Sequence, residues 1–411
     1  MLKFTITLFI ITRVISSSAQ FTPEITSWII NTNATTGYGG IETNVQLVQY
    51  SDENVYISCT CIPGYDIGPW EANPNIPSNQ NFVYKINRYP EMNAGALIET
   101  PMGHTGVWAN GVSIFNAKDG MSYENEGVWN QNAVVVEAIS FDECLGHPAP
   151  NGEYHHHLNP TCLYNDEDSL IHAPIIGYAF DGFPVYGAYG NKNPDGTGEI
   201  SKMYSSYQLR TITERTTLPD GTILSASEYG PDISAIYPLG YYLEDFIFIN
   251  GSGDLDEHNG RFCITPDYPD GIYAYFVTLD DDGNAAYPYT FGPEYYGTVQ
   301  AGNTGPMSGH NIITEPVETY VSIADVNVNK IEIQMYPNPV SNFLALFIEP
   351  IYQNNLNGTI IDIAGRVLQS QQNLQPGITY TFDLSQINGG LYFFKLTNNE
   401  VEELQAFVVI K

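Results

Sequence analysis

The chain has 411 residues, with 46 acidic and 14 basic side chains and a formal net charge of -32. That field repels phosphate backbones and argues against a nucleic-acid partner, while the length allows two or three domains with a sizeable core. Aromatics make up 13%, including 30 tyrosines, against 15% charged residues. This Tyr-, Gly- and Pro-rich profile predicts an all-β protein with many turns.

Residues 1–19 read as an export signal. Lys3 supplies the positive start, Phe4 to Thr12 the apolar core, and Ser17-Ser18-Ala19 the small residues before cleavage ahead of Gln20. Arg13 interrupts the run, which is too short to span a bilayer. No later stretch is long and apolar enough for a transmembrane helix, so none is expected in the mature chain.

Residues 20–300 read as one large β-rich domain. Short apolar or alternating runs (NVYISCTC, NFVYKI, AVVVEAI, IIGYAF, DFIFI) are separated by Gly, Pro and Asn turns. NKNPDGTG at 191–198 is a polar loop. DDDGN at 280–284 resembles part of a calcium loop but lacks the later acidic position. A solvated turn is the favoured reading there, with calcium a weak alternative.

The segment GHPAPNGEYHHHLNPTC, 146–162, carries the chemistry. It holds four of the eight histidines within eleven positions. In a strand, His155 and His157 point to one face and Tyr154 and His156 to the other. Two imidazoles one pleat apart can hold a transition metal. His147 can fold back across the Pro148 and Pro150 turn, and His172 is a further candidate ligand. Asp181, Tyr154 and Asp142 are candidate site-lining residues, the two aspartates also as oxygen donors. Three imidazoles favour copper or zinc; two with a carboxylate suit non-haem iron or manganese. The competing reading is a hydrogen-bonded Tyr/His core ladder. His104 and His258 read as isolated polar residues.

Five cysteines remain. Cys144 and Cys162 flank the histidines, and a disulfide there would clamp the loop, worth about 3 kcal/mol. Cys59 and Cys61 are too close for an unstrained bridge; one of them paired with Cys263 leaves one free thiol.

An internal echo is present. Asp142-Glu143-x-x-Gly146 and then Gly152-x-Tyr154 recur as Asp256-Glu257-x-x-Gly260 and then Gly271-x-Tyr273. Ala274 and Phe276 replace the imidazoles in the second copy, so one half carries chemistry and the other pairs with it. Residues 301–330, including His310, read as a linker. From Ile331 to Lys411, strands at regular spacing predict a compact β-sandwich.

The C-terminal segment resembles the type A sorting domain of the type IX secretion system. The resemblance rests on Tyr336-Pro337-Asn338-Pro339, Gly365-Arg366, Asp383-Leu384-Ser385, Gly389-Gly390-Leu391-Tyr392, Lys395 and Lys411. It implies passage through the periplasm, engagement of the type IX machinery through residues 331–411, and delivery outside the cell or to its outer surface. The main domain resembles the YHYH family over about 45–295, with the motif as Tyr154-His155-His156-His157. Supporting matches are Asn73-Pro74-Asn75, GVWANGVSIFN at 106–116, Asp142-Glu143-Cys144, Gly146-His147, Cys162 and IIGYAFDGFPVYG at 175–187. That resemblance brings little biochemistry.

Three functions therefore compete: a surface-delivered transition-metal binder, an extracellular carbohydrate-binding module using Trp70, Trp108 and Trp129, and a metal-dependent extracellular enzyme. No G-x-S-x-G, H-E-x-x-H or phosphate-cradling loop is present, and no catalytic residue is nominated.

Overall fold

The computed structural model describes residues 21–165, 169–305, 308–321, 333–348, 355–363, 365–397 and 402–411. The expected export signal, 1–19, lies outside the described residues. The chain divides after Tyr320 into two compact units.

The main unit is built on two sheets. The smaller contains β1 (Val45–Tyr50), β2 (Asn54–Cys59) and β3 (Phe82–Asn87). The larger has eight strands. They are β4 (His104–Trp108), β5 (Ser113–Phe115), β6 (Gly146–Pro148), β7 (Tyr154–His156), β8 (Ile175–Ala179), β9 (Pro184–Tyr186), β10 (Gly260–Cys263) and β11 (Ile272–Phe276). Val48, Val55, Ile57 and Ile86 of the smaller sheet share a core with Val107, Tyr178, Tyr186 and Phe276 of the larger. The other face of the larger sheet is also covered, by Phe183, Phe291 and Tyr295 against Ile176, Val185 and Tyr275. Burial on both faces explains why β8 reads as an unbroken apolar run.

The eight strands run β10-β11-β9-β8-β4-β5-β7-β6. Each half is the same motif: an antiparallel pair, a parallel step, then another antiparallel pair. The halves meet at the antiparallel β4–β8 pair. The echo in the sequence is thus a duplication of structure. Both copies close their turn through the same aspartate, Asp142 or Asp256, which accepts from backbone N–H groups at +2 and +4.

Three expectations are corrected. AVVVEAI is not a strand: Ala133–Val136 is one helical turn, α1, capped by the Asn132 side chain, which accepts from Val134 N–H. Local capping outweighs the strand preference of the valines.

Residues 301–320 do not behave as a free linker. Asn303 pairs its amide with both backbone groups of Lys85, Asn311 donates to Val83, and β12 (Glu318–Thr319) pairs with β1. These polar residues satisfy strand edges that would otherwise be open.

Finally, Cys59, Cys61 and Cys263 are all free and buried. Cys61 lies beside Ser113 of β5, whereas Cys263 is on β10. Four strands intervene, a separation of roughly 24 Å at about 4.8 Å per step, far beyond disulfide reach.

The tail unit stacks two sheets. One holds β13 (Ile333–Tyr336), β14 (Phe343–Ile348) and β17 (Thr379–Asp383). The other holds β15 (Leu356–Asp362), β16 (Val367–Leu374), β18 (Gly390–Thr397) and β19 (Glu402–Val409). Leu344, Leu346, Ile360, Phe394 and Phe407 fill the space between them. Lys411 Nζ ties the end of the chain to the carbonyls of Ser341, Leu384 and Ser385.

Candidate metal centre

Antiparallel pairing of β6 with β7 sets His155 directly opposite His147. The pleat then places His157 on the same side as His155. The three Nε2 atoms meet: His147 to His155 is 3.0 Å and His155 to His157 is 3.1 Å. Glu137, at the C-terminal end of α1, completes the group. Its Oε2 lies 3.0 Å from His147 Nε2 and 3.2 Å from His157 Nε2. Yet that oxygen makes no well-directed hydrogen bond. The four atoms form a metal-competent group.

The opposite ring nitrogens are engaged. His155 Nδ1 donates to the Glu153 carbonyl at 3.1 Å, and His157 Nδ1 to the Asn116 carbonyl at 2.6 Å. His147 Nδ1 lies 2.6 Å from Ser140 Oγ. A carbonyl only accepts, so in the neutral rings of His155 and His157 the Nε2 lone pairs face the shared centre. Phe115 stacks on His155 at 3.7 Å and Phe141 packs edge-on against His147 at 4.9 Å, which hold the rings in place.

Burial favours the neutral form of His147, His155 and His156. It lowers His147, drives His155 well below the usual range and lowers His156 to about 3. For Glu137, burial acts upward, but a hydrogen bond from His147 or His157, when the ring carries a proton on Nε2, outweighs it and holds the carboxyl well below its ordinary value. Asp119 beside it is raised to about 6 by burial and by its contact with Glu137.

The cluster forms the floor of a cleft of about 360 Å³, walled by Asn73, Asn75, Met102, Lys118 and Asp119. The three imidazoles are almost sealed, while the Glu137 side chain is 25% exposed. The disulfide Cys144–Cys162 is present and ties the turn before His147 to the segment after His157.

Other candidates fall elsewhere. His172 belongs to the second half of the sheet, 5.2 Å from the Tyr186 ring, with Nδ1 donating to the Ala173 carbonyl. Tyr154 points to the opposite face of β7 and donates to Asp142, which also accepts from Gly68 N–H and Trp70 Nε1–H. Both brace the turn that leads into β6. Asp181 is sealed in a corner, accepting from Tyr275 Oη–H and Gly297 N–H. Asp280 accepts from the backbone and side chain of Asn284, closing an ordinary turn in the segment read as a weak calcium loop. Trp108 and Trp129 are fully buried, so they offer no stacking face. Glu137 is the ligand candidate that sequence reasoning missed, because it follows a valine run that reads as a strand.

Residues 83–286 match the YHYH protein family, and residues 334–411 match the secretion system C-terminal sorting domain. The main unit belongs to the YHYH family, and the sorting domain marks the chain for export by type IX secretion to the cell surface or extracellular space. No curated protein matches the chain.

Proposed function

We propose that the main unit is an exported transition-metal-binding protein whose ion is held by Nε2 of His147, His155 and His157 and Oε2 of Glu137. One observation carries this reading. Three imidazole Nε2 atoms converge at 3.0–3.1 Å, and the Nδ1 contacts of neutral His155 and His157 with carbonyls leave their Nε2 lone pairs facing each other. Neutral lone pairs at that distance repel unless a cation sits among them. A tetrahedral site with ligand bonds of about 2.0–2.1 Å has edges of roughly 3.3–3.4 Å, so a small outward movement of the rings makes room for an ion. Three imidazoles and a carboxylate suit zinc or copper. The oxygens at each Nδ1 are the partners that orient metal-bound histidines.

The test is metal analysis of the exported protein together with calorimetric loading by zinc and copper. One ion per chain is expected, with none retained by a folded His155→Ala/His157→Ala variant. Failure to load either ion on folded wild-type protein sinks the reading.

A second reading, a metal-dependent enzyme, is favoured by the cleft. Catalytic sites keep an exchangeable position, and Glu137 at the mouth is the ligand best placed to yield one.

A further inference from the structure

Apart from the metal cluster, the main unit holds a second group of reactive side chains. His104 Nδ1 lies 2.8 Å from Glu153 Oε1, and His104 Nε2 lies 2.8 Å from Ser308 Oγ. Glu153 and His104 are buried, while Ser308 is half-exposed. The carboxylate is fixed at both oxygens: Ser113 Oγ–H donates to Oε1 at 2.5 Å and the Asn151 amide to Oε2 at 3.3 Å. A carboxylate accepts, so Nδ1 carries a proton, and Nε2 can accept from Ser308 once that hydroxyl turns from the Gly305 carbonyl. The imidazole packs edge-on against the rings of Phe82 and Tyr84, at 5.2 and 5.4 Å. The sequence hides this group, because its members are 49 and 204 residues apart.

We propose that Ser308, His104 and Glu153 form an acyl-transfer centre separate from the metal cluster, with Ser308 as nucleophile, His104 as general base and Glu153 as the positioning residue. A hydroxyl facing a base that is itself oriented by a carboxylate is the arrangement that activates serine. The substrate class is a small uncharged carboxylic ester, since the net charge of -32 disfavours anions.

The step balances. Ser308 Oγ bonds the carbonyl carbon as its proton passes to His104 Nε2. The carbon–oxygen bond to the alcohol then breaks, and the leaving oxygen takes that proton. Water repeats the sequence, releasing the acid and restoring the hydroxyl. In the resting state the Ser308 hydroxyl also reaches the Gly305 carbonyl at 2.5 Å, so it must turn from that oxygen to His104 before attack.

The experiment treats the full chain with a fluorophosphonate, in which the serine oxygen displaces fluoride from phosphorus, and locates the adduct by peptide mass. A single adduct on Ser308 is expected, unchanged by chelator, absent in Ser308→Ala, and slowed roughly 100-fold or more in His104→Gln. Glu153→Gln should slow it while leaving Ser308 reactive at raised pH. No adduct on Ser308 in folded wild-type protein overturns the proposal. So does an adduct formed equally fast in folded His104→Gln. If His104→Gln does not fold, the wild-type adduct site, read against Ser308→Ala, decides.

Discussion

Tyr154 and Tyr273 are equivalent residues in the two halves of the larger sheet. Each hydroxyl donates to an aspartate at the preceding turn, Asp142 at 2.9 and 3.1 Å and Asp256 at 2.8 and 3.0 Å from the two oxygens. Each also lies over a glycine. A Cβ on Gly146 would stand 2.3 Å from Tyr154 Oη, and one on Gly260 2.4 Å from Tyr273 Oη. Gly146→Ala and Gly260→Ala should therefore each destabilise the main unit, by about 1–3 kcal/mol of overpacking. Only Gly146→Ala should also weaken metal binding, because Gly146 adjoins His147. Denaturation midpoints and metal titrations of the pair check this; equal loss of metal in both variants would contradict the division of labour between the halves.

Ser140 braces the candidate metal centre from outside the ligand group. Its Oγ lies 2.6 Å from His147 Nδ1 and donates to the Glu137 carbonyl at 2.7 Å, linking two ligand residues. Ser140→Ala should cost about 10–100-fold in metal affinity with little change in the apo fold. Competition against a chromogenic chelator reads this directly. An unchanged affinity would mean that the Ser140 contact does not orient the ring.

What was legible in the sequence follows from which constraints are local. The pleat period placed His155 and His157 on one face, and the Pro148–Pro150 turn correctly suggested that His147 folds back. The duplication was legible because an Asp, a Gly and a Tyr are each required by the same turn geometry. Glu137 was not, since its approach depends on α1 docking beside β6, a tertiary event that the valines disguise. His172 shares residue type with the ligands but not their half of the sheet. The Ser308 group was equally hidden, because Ala301–Tyr320 reads as polar linker until the open edges of β1 and β3 are known.

Asp181 should give the apo protein a distinct pH signature. Burial raises its carboxyl to about 6, against roughly 3.9 in an unfolded chain. Between those values the folded state keeps a proton that the unfolded state has lost. Its contribution is thus full below about pH 4 and falls as pH rises toward about 6, by roughly 3 kcal/mol at about 1.4 kcal/mol per unit. His155 and His156 act oppositely: their lowered values make stability fall as pH drops below about 6.5. Subtracting the pH profile of Asp181→Asn from that of wild type isolates the first slope. A flat difference between pH 4 and 6 would show that Asp181 ionises freely in the fold.

The Cys144–Cys162 bridge spans 18 positions that include His147, His155 and His157. Cutting it should therefore weaken fold and site together. Cys144→Ser/Cys162→Ser is expected to lose about 3 kcal/mol, the loop-closure term for such a span. A metal that binds only the folded state restores stability in proportion to its affinity, about 2.7 kcal/mol when present at 100 times its dissociation constant. Zinc or copper should then return most of what the bridge supplied, because an ion held by His147, His155 and His157 would join the same β6 and β7 strands from within. Thermal midpoints of the variant with chelator and with excess metal make the comparison. A variant whose midpoint does not respond to metal, although wild type binds it, would show that the disulfide builds the site instead of merely bracing it.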